Sequence, residues 1–479
     1  MRQVEIKPVT ISNDIPLPDL GIVERRLAEA RAAFTRKIVV LDDDPTGIQT
    51  VHDVPVYTNW RQQTLEQALL ETCGMFFVLT NSRGFTAEET ERAHREIAQN
   101  LAAASWVTGI SFLLISRGDS TLRGHYPLET QVLCRELEKH SAVRYDGEII
   151  MPYFQEGGRL TIGNIHYVRN GADLIPVGMT EFARDTTFSF SASDLTEWCE
   201  ERSGGAFPAE EVTTVSLEEL RSLDYTGILE KLKRVSGFGK VVVNAADDCD
   251  AEVFATALFQ AVQEGKEFLF RTAAGLVRVL GGVSKRPLLE RKELCPGSSA
   301  LGGLVVVGSH VQKTTEQLKC LLASGLDLAP ICFDVQSALR PSGLQEERDR
   351  VLHGAEAAIR DGHTAVVYTS RRVLRVREES AQENLRLSVQ ISHALTSVVA
   401  GLTVRPSFLV AKGGITSSDV GICALGVRRA WVMGQVAPGV PVWLTGAESK
   451  FPNLAYVIFP GNVGDNSTLR DVVGMLMGG

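Results

Sequence analysis

The chain has 479 residues, of which 44% are hydrophobic and 22% charged, the composition of a soluble globular protein with more than one domain. Its 58 acidic and 49 basic side chains give a net charge of −9, which argues against general binding to nucleic acid or membranes. None of the eight cysteines forms a Cys-x-x-Cys pair, so neither a zinc site nor a redox dithiol is indicated. The N-terminus lacks the apolar core of a signal peptide and no apolar run approaches membrane-spanning length, so we expect a cytoplasmic protein.

Strand-like and helix-like segments alternate along the chain, a pattern that favours parallel βαβ units. The strands predicted in the first part are 37–41, 54–58, 75–80, 112–116, 148–151, 213–216 and 240–244. The helices predicted there are 64–72, 87–104, 128–139 and 217–234. In the second part we predict strands 304–307, 331–335, 364–368, 407–411, 429–433 and 456–459, with helices 314–323, 345–360 and 382–400.

The alternation is interrupted once, at a stretch rich in Pro, Gly, Ser and charged residues. We therefore predict an α/β fold, with two α/β domains that have largely parallel sheets and an active-site cleft between the domains. The predicted division is an N-terminal extension or helix at 1–36, a first domain at 37–283, a linker at 284–303 and a second domain at 304–479.

An aspartate run follows the first predicted strand, in the sequence DDDPTGIQT at residues 42–50. Three adjacent carboxylates repel one another and raise each other's pKa. The carboxyl edge of an open α/β sheet is also where ligands bind. This cluster suits a cation site or a group that accepts a proton from a hydroxyl. The alternative is that these are ordinary turn and helix-cap residues.

Three loops of the first domain place an arginine next to glycine, namely TNSRG with Arg83, GDSTLRG with Arg123 and EGGRLT with Arg159. A guanidinium group binds a carboxylate through two parallel hydrogen bonds, and glycine lets the backbone approach a ligand closely. These loops predict a site for a small hydroxy acid. The alternative is that the arginines form surface or interdomain salt bridges, which we favour for Arg83 taken alone but not for Arg123. His125 and His166 are single histidines, which are more often structural than catalytic. The aspartate pair at 247–248 most simply caps the following helix.

Glycine follows three predicted strands of the second domain, at Gly308-Ser309, at Gly413-Gly414 and at Gly461. Such a turn at a helix start offers free backbone N–H groups, which bind phosphate. The alternative is a glycine turn with a Ser or Thr helix cap. The sequence contains no Gly-x-x-x-x-Gly-Lys-Ser/Thr, Gly-x-Gly-x-x-Gly, His-Glu-x-x-His or Gly-x-Ser-x-Gly motif.

Together these motifs resemble the four-carbon acid sugar kinase family, over residues from about 37 to 473. The matching segments are 43–47 (DDPTG), 119–124 (DSTLRG), 158–159 (GR), 308–309 (GS), 413–416 (GGIT) and 460–464 (PGNVG). The resemblance implies an N-terminal sugar-acid-binding domain and a C-terminal nucleotide-binding domain. It also implies transfer of the ATP γ-phosphate to the terminal hydroxyl of threonate, erythronate or oxo-tetronate. Arg117 and His310 depart from the family's pattern.

The roles expected from this resemblance fall into three groups. Asp44 or Asp43 is the expected catalytic base, whereas Asp42 precedes the family pattern and is expected to be dispensable. The expected substrate-binding residues are Arg83, Asp119, Ser120, Arg123, Gly158 and Arg159. The expected nucleotide-binding residues are Ser309, Gly413, Gly414, Thr416 and Gly461.

The expected cofactors are ATP and Mg²⁺, with the ion held largely by the nucleotide phosphates and no protein metal ligand assigned. The expected partners are the sugar acid and ATP, without nucleic acid or membrane, and a homodimer is the candidate assembly. Two alternatives remain open. One is a non-catalytic sensor of a sugar acid and a nucleotide, and the other is an oxidoreductase or aldolase-like enzyme that acts on a small hydroxy acid.

Overall fold

The computed structural model describes residues 4–45, 47–297, 299–371 and 381–478, without the side chains of 381–386 and 388. Thr46, which belongs to the aspartate motif, lies outside the described residues. In the part of the chain that is described, no helix is both long enough and apolar enough to cross a bilayer.

The strands of the described residues are numbered in chain order. They are β1 (Lys7–Pro8), β2 (Lys37–Asp42), β3 (Val54–Tyr57), β4 (Met75–Leu79), β5 (Phe112–Arg117), β6 (Gly147–Met151), β7 (Arg159–Ile162), β8 (Ile165–Asn170), β9 (Asp173–Pro176), β10 (Thr213–Val215), β11 (Gly239–Val243), β12 (Phe268–Thr272), β13 (Leu304–Val307), β14 (Leu328–Phe333), β15 (Thr364–Thr369), β16 (Leu409–Lys412), β17 (Arg429–Ala437), β18 (Val440–Thr445) and β19 (Ala455–Phe459).

The α-helices of the same residues are numbered in the same way. They are α1 (Leu20–Ala32), α2 (Gln62–Leu70), α3 (Ala87–Thr108), α4 (Leu128–His140), α5 (Leu195–Ser203), α6 (Leu217–Arg221), α7 (Tyr225–Arg234), α8 (Asp248–Gln263), α9 (Ala274–Gly281), α10 (Arg291–Leu294), α11 (Gln312–Leu322), α12 (Gly343–Arg360), α13 (Ala381–Gly401), α14 (Gly414–Asp419) and α15 (Thr468–Met477).

The chain divides into two compact units. Unit 1 contains Met1–Gly47 and Asn59–Ser284, and unit 2 contains Ile48–Thr58 and Lys285–Gly479. Strand β3 therefore belongs to unit 2, although its sequence lies within the predicted first domain. The predicted linker also contributes to unit 2, because Leu289 and Leu294 are buried in its hydrophobic core.

Unit 1 is built on a parallel sheet with the strand order β10-β11-β6-β12-β5-β2-β4. Its strands are nearly continuous apolar runs, as expected for a sheet covered on both faces. Helix α3 illustrates how its helices are delimited, since it begins at a Thr86/Glu89 capping box and ends at left-handed Gly109. Helix α8 begins at Asp247, whose side chain accepts from the Cys249 N–H, which confirms the predicted capping role.

A smaller antiparallel sheet in unit 1, with the order β1-β9-β8-β7, is absent from the sequence-based prediction. It places Arg159 at the first residue of β7, and Gly158 precedes it in a left-handed conformation with φ of 72°. The sheet thus positions one of the three arginine loops.

Unit 2 contains a mixed sheet with the order β3-β17-β18-β19-β16-β13-β15-β14. The strands from β19 to β14 are parallel, whereas the pairs β3–β17, β17–β18 and β18–β19 are antiparallel. The three predicted glycine loops follow β13, β16 and β19, which are neighbours in the parallel part. Their carboxyl ends therefore lie at one edge of the sheet.

One predicted helix differs from the structure. The segment predicted as a single helix at 217–234 is two helices, α6 and α7, because Leu223 adopts a left-handed conformation with φ of 59°. Asp224 then caps α7 by accepting a hydrogen bond from the Gly227 N–H at 2.9 Å. The Ser-Leu-Asp sequence at 222–224 ends one helix and caps the next. The amphipathic pattern, which continues across it, did not indicate this break.

Candidate functional site

The aspartate run lies at the carboxyl end of β2, in the interior of the unit 1 sheet. Asp42 is in register with Arg117 on β5 and with Leu79 on β4. The loops after β4 and β5, which carry Arg83 and Asp119, therefore emerge beside the aspartates. The sheet register brings these motifs together although they are up to about eighty residues apart in sequence.

Asp42 is 1% exposed and is bonded to its neighbours in the sheet. Its Oδ1 accepts from Arg117 Nη1 at 3.1 Å and from the Asp44 N–H at 3.3 Å. Burial raises the pKa of Asp42 to about 7, and the charges of Asp43 and Asp44 add to this effect while Arg117 opposes it. A side chain at Gly47 would overlap both this carboxylate and the Arg117 guanidinium. Asp42 therefore has a structural role in the sheet, and its dispensability for catalysis stays a prediction.

Asp43 and Asp44 are both held by Arg83. The Arg83 guanidinium donates to both oxygens of Asp43, at 3.1 and 2.6 Å, and to Oδ2 of Asp44 at 3.1 Å. The Asp43 side chain is 4% exposed, whereas that of Asp44 is 23% exposed. Burial raises the pKa of Asp43 and Glu129 adds to it, against the opposing charge of Arg83. Arg83 thus forms ion pairs, but with aspartates of its own unit, one of them buried, rather than the surface or interdomain salt bridge favoured from the sequence.

The loop after β5 carries Asp119 and Arg123, which bind each other. Arg123 Nε donates to Asp119 Oδ2 at 2.7 Å, and the Thr121 hydroxyl donates to the same oxygen. Burial opposes the ionisation of Asp119, but the charges of Arg83 and Arg123 and these hydrogen bonds outweigh it and lower its pKa. The loop is anchored by Leu122, which adopts φ of 70° and is buried in the core of unit 1.

Arg271, on β12, holds this loop through hydrogen bonds to its backbone carbonyls. It was not identified from the sequence. It is 2% exposed, and its Nη2 donates to the carbonyls of Asp119 and Arg123 at 3.3 and 3.0 Å. A β-carbon at Gly118 would lie 2.6 Å from the Arg271 guanidinium carbon, so only glycine fits there. The signal in the sequence was an arginine within the apolar run FLFRT.

Arg159 differs from Arg83, Arg117 and Arg123 because it forms no ion pair with any described residue. Its Nε is buried without a hydrogen-bond partner, and its guanidinium lies 5.9 Å from the centre of the Phe182 ring. Arg123 lies over the same ring at 5.1 Å. Burial lowers the pKa of Arg159, as does the charge of Arg123, whereas Asp119 raises it.

The remaining expected residues of unit 1 contribute through the backbone. Gly158 adopts φ of 72°, and a side chain there would meet Cβ of Arg169 at 2.8 Å. The Ser120 carbonyl accepts from His166 Nε2 at 2.8 Å, and His166 Nδ1 lies 2.9 Å from the Thr161 hydroxyl. His166 is fully buried, and burial lowers its pKa to about 4, so it is neutral at pH 7 and structural.

The three glycine loops of unit 2 converge on Ser309 and Thr416. A side chain at Gly308 would overlap Thr416 Oγ1, and one at Gly413 would lie 2.9 Å from Ser309 Cβ. A side chain at Gly461 would lie 3.1 Å from Ser309 Oγ. The five loop residues are thus in close contact, and the turn at Gly413, with φ of 121°, strongly favours glycine.

The N–H groups of Gly414 and Gly461 donate no hydrogen bond to any described residue. Gly414 opens helix α14 and has open space where a side chain would be. The Gly461 carbonyl, in contrast, accepts from the Thr314 hydroxyl at 2.8 Å, which holds its loop against α11. Unpaired N–H groups at a helix start are the donors that phosphate oxygens use.

Two basic side chains beside these loops were not assigned a role from the sequence. Arg371 Nη1 donates to the Ser309 carbonyl at 2.6 Å, and Lys412 Nζ donates to the Pro460 carbonyl at 2.6 Å. In the described part of the chain, no group of three or more His, Cys, Asp or Glu side chains is placed to hold a metal ion.

The comparisons with known proteins divide the chain in a similar way. A sugar-binding N-terminal domain matches residues 38–280, and a nucleotide-binding C-terminal domain matches residues 304–469. The 3-oxo-tetronate kinase of Cupriavidus necator is 26% identical over 386 residues, covering 77% of this chain and 80% of that protein.

Two solved structures share the fold. A Haemophilus influenzae protein has a TM-score of 0.61 at 18% identity, covering 91% of this chain and 100% of its own. A putative tRNA synthase from Salmonella typhimurium has a TM-score of 0.64 at 16% identity, covering 91% and 98%. At these identities the two structures show the α/β fold alone. The first domain match alone spans just over half of the chain, so the protein is a phosphotransferase that belongs to the four-carbon acid sugar kinase family.

Proposed function

We propose that the protein transfers the γ-phosphate of ATP to the terminal hydroxyl of a four-carbon sugar acid of the threonate, erythronate or oxo-tetronate class. The observation that carries the proposal is the arrangement in unit 1, where Arg83 fixes two carboxylates within a charge network that also includes the unpaired Arg159. A sugar acid presents the matching groups, a hydroxyl to be activated and a carboxylate to be bound.

Arg159 is the residue proposed to bind the substrate carboxylate. Arg83 and Arg123 already donate to aspartates, whereas the Arg159 guanidinium is paired with no described carboxylate. A guanidinium binds a carboxylate strongly because two charge-assisted hydrogen bonds form together. Arg83 then acts by positioning Asp43 and Asp44, and Arg123 by positioning Asp119. Asp119 and Ser120 are the residues proposed to bind the substrate hydroxyls.

Asp44 is the proposed general base. The side chain of Asp43 is 4% exposed and both of its oxygens are bound by Arg83, whereas the side chain of Asp44 is 23% exposed. A base must reach the proton of the attacking hydroxyl directly or through one water. The more accessible carboxylate meets that requirement better.

The glycine loops of unit 2 are the proposed phosphate site, with Ser309, Gly413, Gly414, Thr416 and Gly461 in contact with the nucleotide. The unpaired N–H groups of Gly414 and Gly461 suit phosphate oxygens. Mg²⁺, held largely by the phosphates, would neutralise charge that develops during transfer. Phosphoryl transfer depends mainly on such positioning and electrostatic stabilisation.

The test combines a substrate panel with one substitution. We expect ATP-dependent release of ADP with at least one of threonate, erythronate or 3-oxo-tetronate, measured by a coupled assay. Asp44→Asn should reduce kcat by about 10²–10⁴-fold while ATP binding measured by calorimetry is retained. Asp173→Asn, which changes an exposed aspartate on β9, is the matched control and should leave kcat unchanged.

Two results would contradict the proposal. Near-full activity of the Asp44→Asn variant would overturn the assignment of the base. Thermal stabilisation of the wild type by a sugar acid and by ATP, without turnover of any acid in the panel, would instead support a non-catalytic sensor.

A further inference from the structure

Lys412 is a fully buried lysine at the carboxyl end of β16, directly before Gly413. Its Nζ donates to the Pro460 carbonyl at 2.6 Å and lies 3.9 Å from the centre of the Phe459 ring. It forms no ion pair with a carboxylate of the described residues. A lysine is almost never fully buried without such a partner, since an uncompensated ammonium group is strongly disfavoured in a protein interior.

The surroundings of Lys412 supply no negative charge. Lys313, at the start of α11, acts on it with a charge of the same sign. Arg371 and His310, near the Ser309 loop, are also basic. Two aspartates of the neighbouring segments accept hydrogen bonds from other groups, Asp465 from Ser467 and Thr468, and Asp419 from Ser392. The phenol of Tyr456, on β19, donates to the Ser417 carbonyl.

Burial therefore lowers the pKa of Lys412 to about 7, and the charge of Lys313 lowers it further in the same direction. Near neutral pH the side chain exchanges between the ammonium and the amine form. Either form can donate to the Pro460 carbonyl, so the contact with the loop does not depend on charge. An anion bound nearby would favour the ammonium form and raise the pKa.

The position of the contact connects Lys412 to the phosphate site. The peptide between Pro460 and Gly461 is trans, so the Gly461 N–H points away from the carbonyl that Lys412 binds. That N–H is among the donors of the glycine loops for which no described residue is an acceptor. A charged donor on the carbonyl polarises the peptide and strengthens its N–H as a donor. Lys412 can thus act on a bound phosphate through this peptide without contacting the phosphate.

We propose that Lys412 is a positioning residue that couples polyphosphate binding at the glycine loops to uptake of one proton. The inference rests on the proposed nucleotide site of unit 2 and extends it by naming the group that balances the phosphate charge. The empty site holds Lys412 partly as the amine. The occupied site holds it as the ammonium, bound to the Pro460 carbonyl.

Calorimetry with ATP alone, in the absence of any sugar acid, tests the coupling. Between about pH 7.5 and pH 9 the phosphates are fully ionised, because their last pKa is near 6. Binding to the wild type should take up a proton, detected as a dependence of the heat on the ionisation enthalpy of the buffer. The association constant should fall by up to about tenfold per pH unit.

Two variants separate charge from structure. Lys412→Met should bind ATP more weakly, without proton uptake and without the pH dependence, and its unfolding temperature without ligand should not fall, because a buried unpaired charge is removed. Lys412→Arg should bind across this range without the pH dependence, since guanidinium stays charged. Lys319→Met, which changes an exposed lysine in the last turn of α11, should behave as the wild type.

The outcomes are distinguishable. If the wild type binds ATP without proton uptake, or if Lys412→Met keeps the wild-type pH dependence, the inference fails while nucleotide binding stands. If the wild type does not bind ATP, the proposed function fails and the inference fails with it. The measurement on the wild type decides the question even where the Lys412→Met variant does not fold.

Discussion

Arg159 differs from three neighbouring arginines of unit 1 because it forms no ion pair with a described carboxylate. Arg83, Arg117 and Arg123 each donate to an aspartate, which fixes both partners and leaves those guanidinium groups little capacity for a ligand. Arg159 lies within the same charge network with its Nε buried and unpaired. A guanidinium that is paired with no carboxylate of the protein can bind the carboxylate of a ligand, so the pairing pattern assigns different tasks to chemically identical side chains.

The carboxylate of Asp42 leads to a prediction at this scale. Its pKa is raised to about 7 in the folded protein, mainly by burial, against an ordinary value of 3.8. Between these two values the folded state keeps a proton that the unfolded state has lost. The stabilisation is complete below about pH 4 and is lost as the pH rises through about 7, with a slope of up to about 1.4 kcal/mol per pH unit.

Asp42→Asn should remove that slope. The free energy of unfolding, measured by urea denaturation from about pH 4 to about pH 8, should change in favour of the variant across this range and level off above it. Taking the difference between the two proteins cancels the contributions of groups such as His166 and Asp119, which titrate in both. A difference that stays constant with pH would show that Asp42 ionises normally and that its burial is relieved in solution.

At the scale of elements, the sequence predicted most strands that are uninterrupted apolar runs and missed two that carry an unexpected residue. Strand β12 contains the buried Arg271, and β18 contains Pro441, a residue that argues against an interior strand. Both strands are nevertheless interior, because Nη2 of Arg271 donates to loop carbonyls and Pro441 lies next to a register shift in β17. These compensations come from residues distant in sequence, which a local pattern cannot contain.

The residues of the candidate site were likewise predicted only in part. The loops were visible in the sequence because Asp, Arg and Gly cluster after apolar runs. Their pairing was not visible, since it depends on the register of β2 with β5 and on the chain path around Arg271. Lys412 was also missed, because a lysine at the end of a strand is ordinarily solvated.

Two glycine-to-alanine substitutions in unit 2 should have opposite effects. At Gly308 the new methyl group would overlap Thr416 Oγ1 and lie 3.2 Å from Leu395 Cδ2, so we expect a loss of about 1–3 kcal/mol in stability and weaker ATP binding. At Gly354, within α12, the methyl group meets only Ile331 at 3.4 Å or more, so we expect a gain of about 0.5–1 kcal/mol and unchanged ATP binding.

Thermal unfolding and calorimetry with ATP measure both effects on the same preparations. Equal stability of the two variants would mean that the β13 loop can move away from Thr416. In that case the convergence of the three glycine loops would not be a fixed feature of unit 2.

At the scale of the whole molecule, the net charge of −9 opposes the binding of two anionic ligands unless each site supplies its own positive charge. Each proposed site contains a basic side chain that forms no ion pair with a described carboxylate, Arg159 in unit 1 and Lys412 in unit 2. The two are located in different cores, with Arg159 at the start of β7 and Lys412 at the end of β16. The proposed sugar acid and nucleotide therefore depend on separate sets of residues.

This separation predicts that binding of the two ligands can be abolished independently. Arg159→Gln should weaken binding of the sugar acid by about 30-fold or more, because removing one partner of a buried charge pair costs about 2 kcal/mol or more, and should leave ATP affinity unchanged. Gly308→Ala should weaken ATP binding and leave sugar-acid affinity unchanged, while both variants lose turnover. Arg234→Gln, which changes an exposed arginine at the end of α7, is the control for charge alone. Calorimetry with each ligand on each variant measures the four affinities. If Arg159→Gln weakened ATP binding as strongly as sugar-acid binding, the two sites would not be separate and the carboxylate would have to be bound elsewhere.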